Sequence, residues 1–161
     1  MRFLIEDYLD DEKKFYDYGT EQYNDIKPEN LFTTKRSEMS YYTDLLDPKL
    51  LKYYEENKDT TAEVKYMTPK EYFRESAELL SRRFNKHFNG DYIYNKTIKH
   101  ESEMEHLRQV VNKYKRKLCI PMLDYREEQW GQEGNHRMAL AVELFGWEEK
   151  FPVLCVYDYK N

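Results

Sequence analysis

Hydrophobic and polar positions repeat most clearly in the second half of the chain. Residues 62–67 alternate, with Val64 and Tyr66 set against Glu63 and Lys65, which predicts a half-buried strand. Thr68-Pro69-Lys70-Glu71 then matches a capping box with proline at the first helical position. The helix it opens directs Tyr72, Phe73, Ala77 and Leu80 towards a core. Asn89-Gly90 marks a turn. Ser102 and Glu105 form a second capping box ahead of Leu107, Val110, Val111 and Tyr114. Leu118 to Leu123 reads as a strand, and Pro121 confines it to an edge or a strand end.

The stretch from Gln132 to Tyr157 has the strongest pattern, a turn, a helix, a second turn and a strand. Gly134 tolerates positive φ and a close approach of backbone to ligand, and Asn135 is placed to cap the helix. Met138, Ala139, Val142 and Leu144/Phe145 make an apolar stripe. Gly146 stands where a left-handed residue ends such a helix. After Pro152, Val153-Leu154-Cys155-Val156 is a continuous apolar run, as expected of a strand covered on both faces.

Residues 1–60 are less regular. Phe3-Leu4-Ile5, with Tyr8 and Leu9, predicts a short strand or helix docked on the core, and residues 16–30 read as a polar loop. Asp47-Pro48 opens a helix reaching about Asn57, and residues 57–61 suit a boundary. The expectation is an α/β (α+β) fold over residues 61–161, a small mixed sheet with three or four packed helices. A mostly helical, acidic, Tyr-rich extension over residues 1–60 precedes it.

Composition narrows the class. With 16 Tyr and 8 Phe the chain has the apolar supply for a core despite its 35% charged residues. Cys119 and Cys155 sit in apolar runs, which suits reduced, packed thiols. The start turns acidic early, and no apolar run nears the about 18 residues of a membrane span, so a cytoplasmic protein without a membrane partner is expected. The net charge is −6 over residues 1–60 (9 basic, 15 acidic), +3 over 61–100 (8, 5) and −2 over 101–161 (9, 11). Only local basic patches could therefore serve nucleic acid, Arg82-Arg83 with Asn85-Lys86 and Lys113 to Lys117, and each equally suits a solvated helix face or end.

Candidate chemistry gathers at Glu133-Gly134-Asn135-His136-Arg137. A helix N-terminus offers free N–H groups and a positive dipole end to an anion. His136 and Arg137 add donors there, and arginine grips phosphate bidentately. Trp130, beside Gly131 on the approach, is placed to stack on a base. The other histidines, His87, His100 and His106, show no metal-ligand spacing, and no nucleophile elbow is present.

The run EGNHRMALAVELFGWEEKFPVLCVY resembles the signature of the ParB/sulfiredoxin superfamily, and YMTPKEYF and IPMLDYR resemble the opening step and middle strand of its phage- and prophage-type members. The likeness spans roughly residues 62–158. It implies a small α/β domain that binds a nucleotide phosphate at the start of the motif helix, through Gly134, Asn135, His136, Arg137 and Trp130. It implies a nucleoside triphosphate, ATP or CTP, as cofactor. Members include CTP-binding partition proteins, ATP-using sulfinic acid reductases, a free serine kinase and nuclease-type proteins, so NTP hydrolysis, phosphotransfer and nuclease activity all stay open, with Glu133 and His136 as catalytic candidates. Glu133 would repel phosphate unless it holds Mg²⁺ or orients a nucleophile, and Asp124 is the second carboxylate chosen for that ion. Glu127 and Glu128 are equally available in sequence but better suited to exposed positions.

Departures from the family pattern narrow these options. Asn135 stands where sulfiredoxins carry their reactive cysteine, which removes the nucleophile of sulfinic acid reduction. The kinase run resembles D-G-H-H-R, whereas this chain has Glu133 and Asn135 at the acid and first histidine. The alternative expectation is a non-catalytic module of a phage or other mobile element. Its acidic, Tyr-rich first 60 residues would bind a host protein partner, or inhibit a host nucleic-acid-binding protein by imitating phosphates.

Overall fold

The computed structural model describes residues 3–4, 25–33, 61–127 and 130–158. The helix predicted from Asp47-Pro48 lies outside them. In chain order the elements are β1 (Phe3–Leu4), α1 (Pro28–Leu31), β2 (Phe32–Thr33), β3 (Thr61–Met67), α2 (Pro69–Phe84), α3 (Gly90–Ile98), α4 (Glu101–Asn112), β4 (Leu118–Cys119), β5 (Met122–Asp124), β6 (Gly131–Glu133), α5 (Asn135–Phe145) and β7 (Phe151–Tyr157).

A mixed sheet runs in the order β1-β3-β7-β5-β6. Strand β7 is its centre, antiparallel to β3 over its whole length and parallel to β5 from Leu154 to Val156. Residues 151–156 are all buried, so both faces of β7 are covered, as the unbroken apolar run requires. Pro152 pairs with Tyr66 at the start of β7, outside the β5 ladder, where its missing N–H is tolerated.

Helix α5 is the hub of the helical layer, touching α1, α2, α3 and α4. That accounts for a departure from the predicted stripe, because Met138, Ala139, Leu140, Ala141 and Val142 are buried consecutively. A helix packed on most sides keeps only a narrow polar edge, here His136 and Glu143. The capping box at Thr68 forms as read, with the Glu71 N–H donating to Thr68 Oγ1 at 3.2 Å. Ser102 does not cap. Helix α4 begins two residues earlier, at Glu101 behind His100, with no side-chain cap. Helix α3 is an element the turn at Asn89-Gly90 concealed, with Asn89 Oδ1 accepting from the Tyr92 N–H at 2.8 Å.

Pro121 divides the predicted strand in two. Leu118–Cys119 pairs in parallel with Phe32–Thr33 in a small second sheet, while Met122–Asp124 enters the main sheet between β7 and β6. The residues before 60 also join this fold. Phe3 and Leu4 pair with Ala62 and Thr61, and Leu31 and Phe32 are buried in the common core. The boundary expected at residue 60 thus cuts through both sheets and one core. The loop expected over 16–30 ends instead in the short helix α1. Tyr66 and Tyr114, read as inward, are exposed.

Candidate functional site

Helix α5 starts on Gly134, whose φ of 106° falls in the left-handed range that favours glycine. A Cβ there would stand 2.8 Å from Arg137 Nη2 and 2.9 Å from the Cα of Pro121. The close approach that Gly134 permits is therefore to the chain's own Arg137 and Pro121. Asn135 is the first helical residue and not the cap. Its Oδ1 accepts from the Tyr72 hydroxyl at 2.9 Å and from Ser76 Oγ at 3.2 Å, tying α5 to α2. Arg137 is buried, and its guanidinium donates to the Ile120 carbonyl at 3.4 Å. Expected to reach out for an anion, it reaches inward as well.

His136 occupies the second position of α5 and meets the start of α4. Its Nε2 lies 2.9 Å from His100 Nδ1 and 3.1 Å from Glu103 Oε2, and the two rings meet nitrogen to nitrogen with centroids 5.1 Å apart and planes inclined by 26°. About two turns further along both helices, Arg108 grips Glu143 through Nε at 2.8 Å and Nη2 at 2.7 Å, and also bonds Glu101 and Glu105. This bridge holds α4 beside α5 and holds Glu143 below the usual carboxylate range. Two cavities flank His136. One, of about 260 Å³, is lined by Lys96, His100, Gln132, Gly134, Asn135 and His136 together with apolar Leu80 and Ile93. The other, of about 270 Å³, is lined by Glu103, His106, Gly134, His136 and Arg137 among others.

The remaining expected site residues are placed differently. Asp124, expected to hold Mg²⁺, is buried and engaged by Arg126, whose Nε donates to Oδ1 at 2.8 Å while Nη2 bonds Oδ2. A carboxylate held this way by a buried guanidinium is committed to that pair. The β5–β6 register sets Asp124 against Gly131 and Glu133 against Met122. The two expected ligands are thus about 7 Å apart along the ladder at 3.3–3.4 Å per residue. The side chain of Glu133 lies outside the described part, and with Asp124 committed the Mg²⁺ pair does not fit. Trp130 is half-buried against the core with φ of 37° and lines neither cavity. Trp147 packs on Phe73 and Tyr94.

Want of a metal-binding spacing in sequence sets His100 aside as a ligand, and nothing in the local pattern singles out Glu103, Lys96 or Gln132. Spacing rules look along the chain, and His100 and His136 are 36 residues apart. Among the described residues, no helix is long and apolar enough to cross a membrane. No family model matches the chain, and neither curated proteins nor solved structures give a match.

Proposed function

We propose that this chain is a ParB/sulfiredoxin-like domain that binds the phosphate end of a nucleotide, ATP or CTP, at the start of α5. The observation that carries the reading is the cavity that opens on Gly134, Asn135 and His136, the first turn of a helix with no side-chain cap, with Lys96 on its wall. A helix N-terminus favours an anion, and a lysine adds a point charge for phosphate. Leu80 and Ile93 give the same cavity an apolar wall suited to a base. Gln132 Oε1 is buried there without a hydrogen-bond partner among the described residues, an acceptor waiting for a donor such as a sugar hydroxyl or base amine.

The order of elements around the site supports the family reading, since the motif helix is followed by the central strand β7 and preceded by β6. The test is isothermal titration with ATP and CTP, each with and without Mg²⁺, on wild type and Lys96→Glu. Lys96 is exposed, so charge reversal tests the site and not the fold. The expected result is a loss of about tenfold or more in affinity, about 1.4 kcal/mol. Equal affinities, or no heat with either nucleotide, overturn the reading.

A further inference from the structure

The geometry points to a metal site at His100, Glu103 and His136, of the class that takes zinc and similar divalent transition metals. The three donor atoms lie within 4.8 Å of one another. They come from two helix starts: His100 precedes α4, Glu103 is in its first turn, and His136 is in the first turn of α5. Two imidazoles and one carboxylate are the donor set of open zinc sites, which keep a further position for water or ligand. Nitrogen donors also select against Mg²⁺, which prefers oxygen.

Hydrogen bonding alone serves this cluster poorly. His136 Nε2 lies within hydrogen-bond distance of both His100 Nδ1 and Glu103 Oε2. If Nε2 carries a proton, one proton must serve two acceptors or face the N–H of His100. If it carries none, its lone pair points at a carboxylate oxygen. A divalent cation offers one centre to all three donors, with the two imidazoles turning from their head-on contact towards it. At zinc bond lengths of about 2.0–2.1 Å, tetrahedral nitrogen donors stand roughly 3.3 Å apart. The observed 2.9 Å and 3.1 Å lie within a few tenths of an ångström of that spacing, and the third pair, His100 and Glu103, lies within 4.8 Å. Glu103 is 61% exposed and turns freely to close the set, and its charge offsets the positive ends of two helices.

The location gives the site a use. His100 and His136 line the first cavity, and Glu103 and His136 line the second. A bound ion would therefore sit in the partition between them, within reach of a ligand from either side. The Arg108–Glu143 bridge fixes the two helices that carry the ligands. The site rests on three side chains and does not depend on nucleotide binding.

The test uses the full chain, stripped with a chelator and titrated with Zn²⁺ against a chromophoric competitor in buffer free of phosphate and nucleotide. Wild type is expected to bind one Zn²⁺ per chain. His100→Ala and His136→Ala should each weaken binding about tenfold or more, and Glu103→Gln should weaken it with its shape kept. His87→Ala, an exposed histidine outside the cluster, should match wild type. Co²⁺ should give wild type the intense visible bands of a four-coordinate site, absent from a His100→Ala/His136→Ala double variant whose circular dichroism is unchanged. Zinc affinity of that double variant equal to wild type, or no binding by wild type, overturns the inference. Nucleotide titrations are run separately, so either result can fail without the other.

Discussion

The side-chain oxygen of Asn135 accepts from the Tyr72 hydroxyl at 2.9 Å, across 63 residues of sequence. Ser76 donates to the same oxygen, and both hydroxyl-bearing residues are fully buried. Asn135→Ala removes that shared acceptor and should cost about 1–3 kcal/mol, the penalty for leaving buried polar groups poorly satisfied. Adding Tyr72→Phe and Ser76→Ala should recover part of the loss. Denaturant melts of the single and triple variants measure this, and an unchanged midpoint for Asn135→Ala would refute it.

Gly134 and Gly146 both have positive φ, for different reasons. At Gly146 a Cβ meets nothing within 4 Å, so Gly146→Ala should cost only backbone strain, about 1–3 kcal/mol. At Gly134 the same Cβ meets Arg137 and the backbone of Pro121. Gly134→Ala should therefore add a displacement at the start of α5, and it alone should also weaken ligand binding there. Paired melts and titrations separate the two effects. Wild-type stability and binding in Gly134→Ala would show that the contact is not tight.

Arg108 and Glu143 give a pH signature. Arginine lowers the Glu143 carboxyl from its ordinary value of 4.5, so the fold favours its ionised form. Its contribution is complete above that value and disappears as pH falls through the lower folded value. Glu143 is 40% exposed, so solvent screening holds the pair to about 0.3–1 kcal/mol. Wild type should exceed Glu143→Gln in stability at pH 7, and the gap should close below pH 4.5 and shrink in high salt. A gap constant with pH would assign the effect to packing.

A chain starting near residue 59 should lose its cooperative fold. It lacks the β1 partner of β3, the β2 partner of β4, and buried Leu31 and Phe32. Those two side chains alone account for about 3–6 kcal/mol of burial. Near-ultraviolet circular dichroism and a thermal melt decide the matter. A sharp transition within a few degrees of the full chain would mean that residues 61–161 are self-sufficient.

What the sequence determined by itself is the local physics. Thr68 and Glu71 lie three residues apart and cap a helix wherever it packs. The apolar run after Pro152 is a strand covered on both faces, and Gly146 ends a helix because it accepts positive φ. What only the tertiary structure decided are contacts between residues far apart in the chain. His100 becomes a partner of His136, Asn135 becomes an acceptor for α2 and not a cap, and Pro121 sends two halves of one apolar run into different sheets. Arg137 turns inward because the missing Cβ of Gly134 leaves room for its guanidinium. Periodicity and capping depend on neighbours within a few residues, whereas a side chain's final partner depends on which helix packing brings beside it.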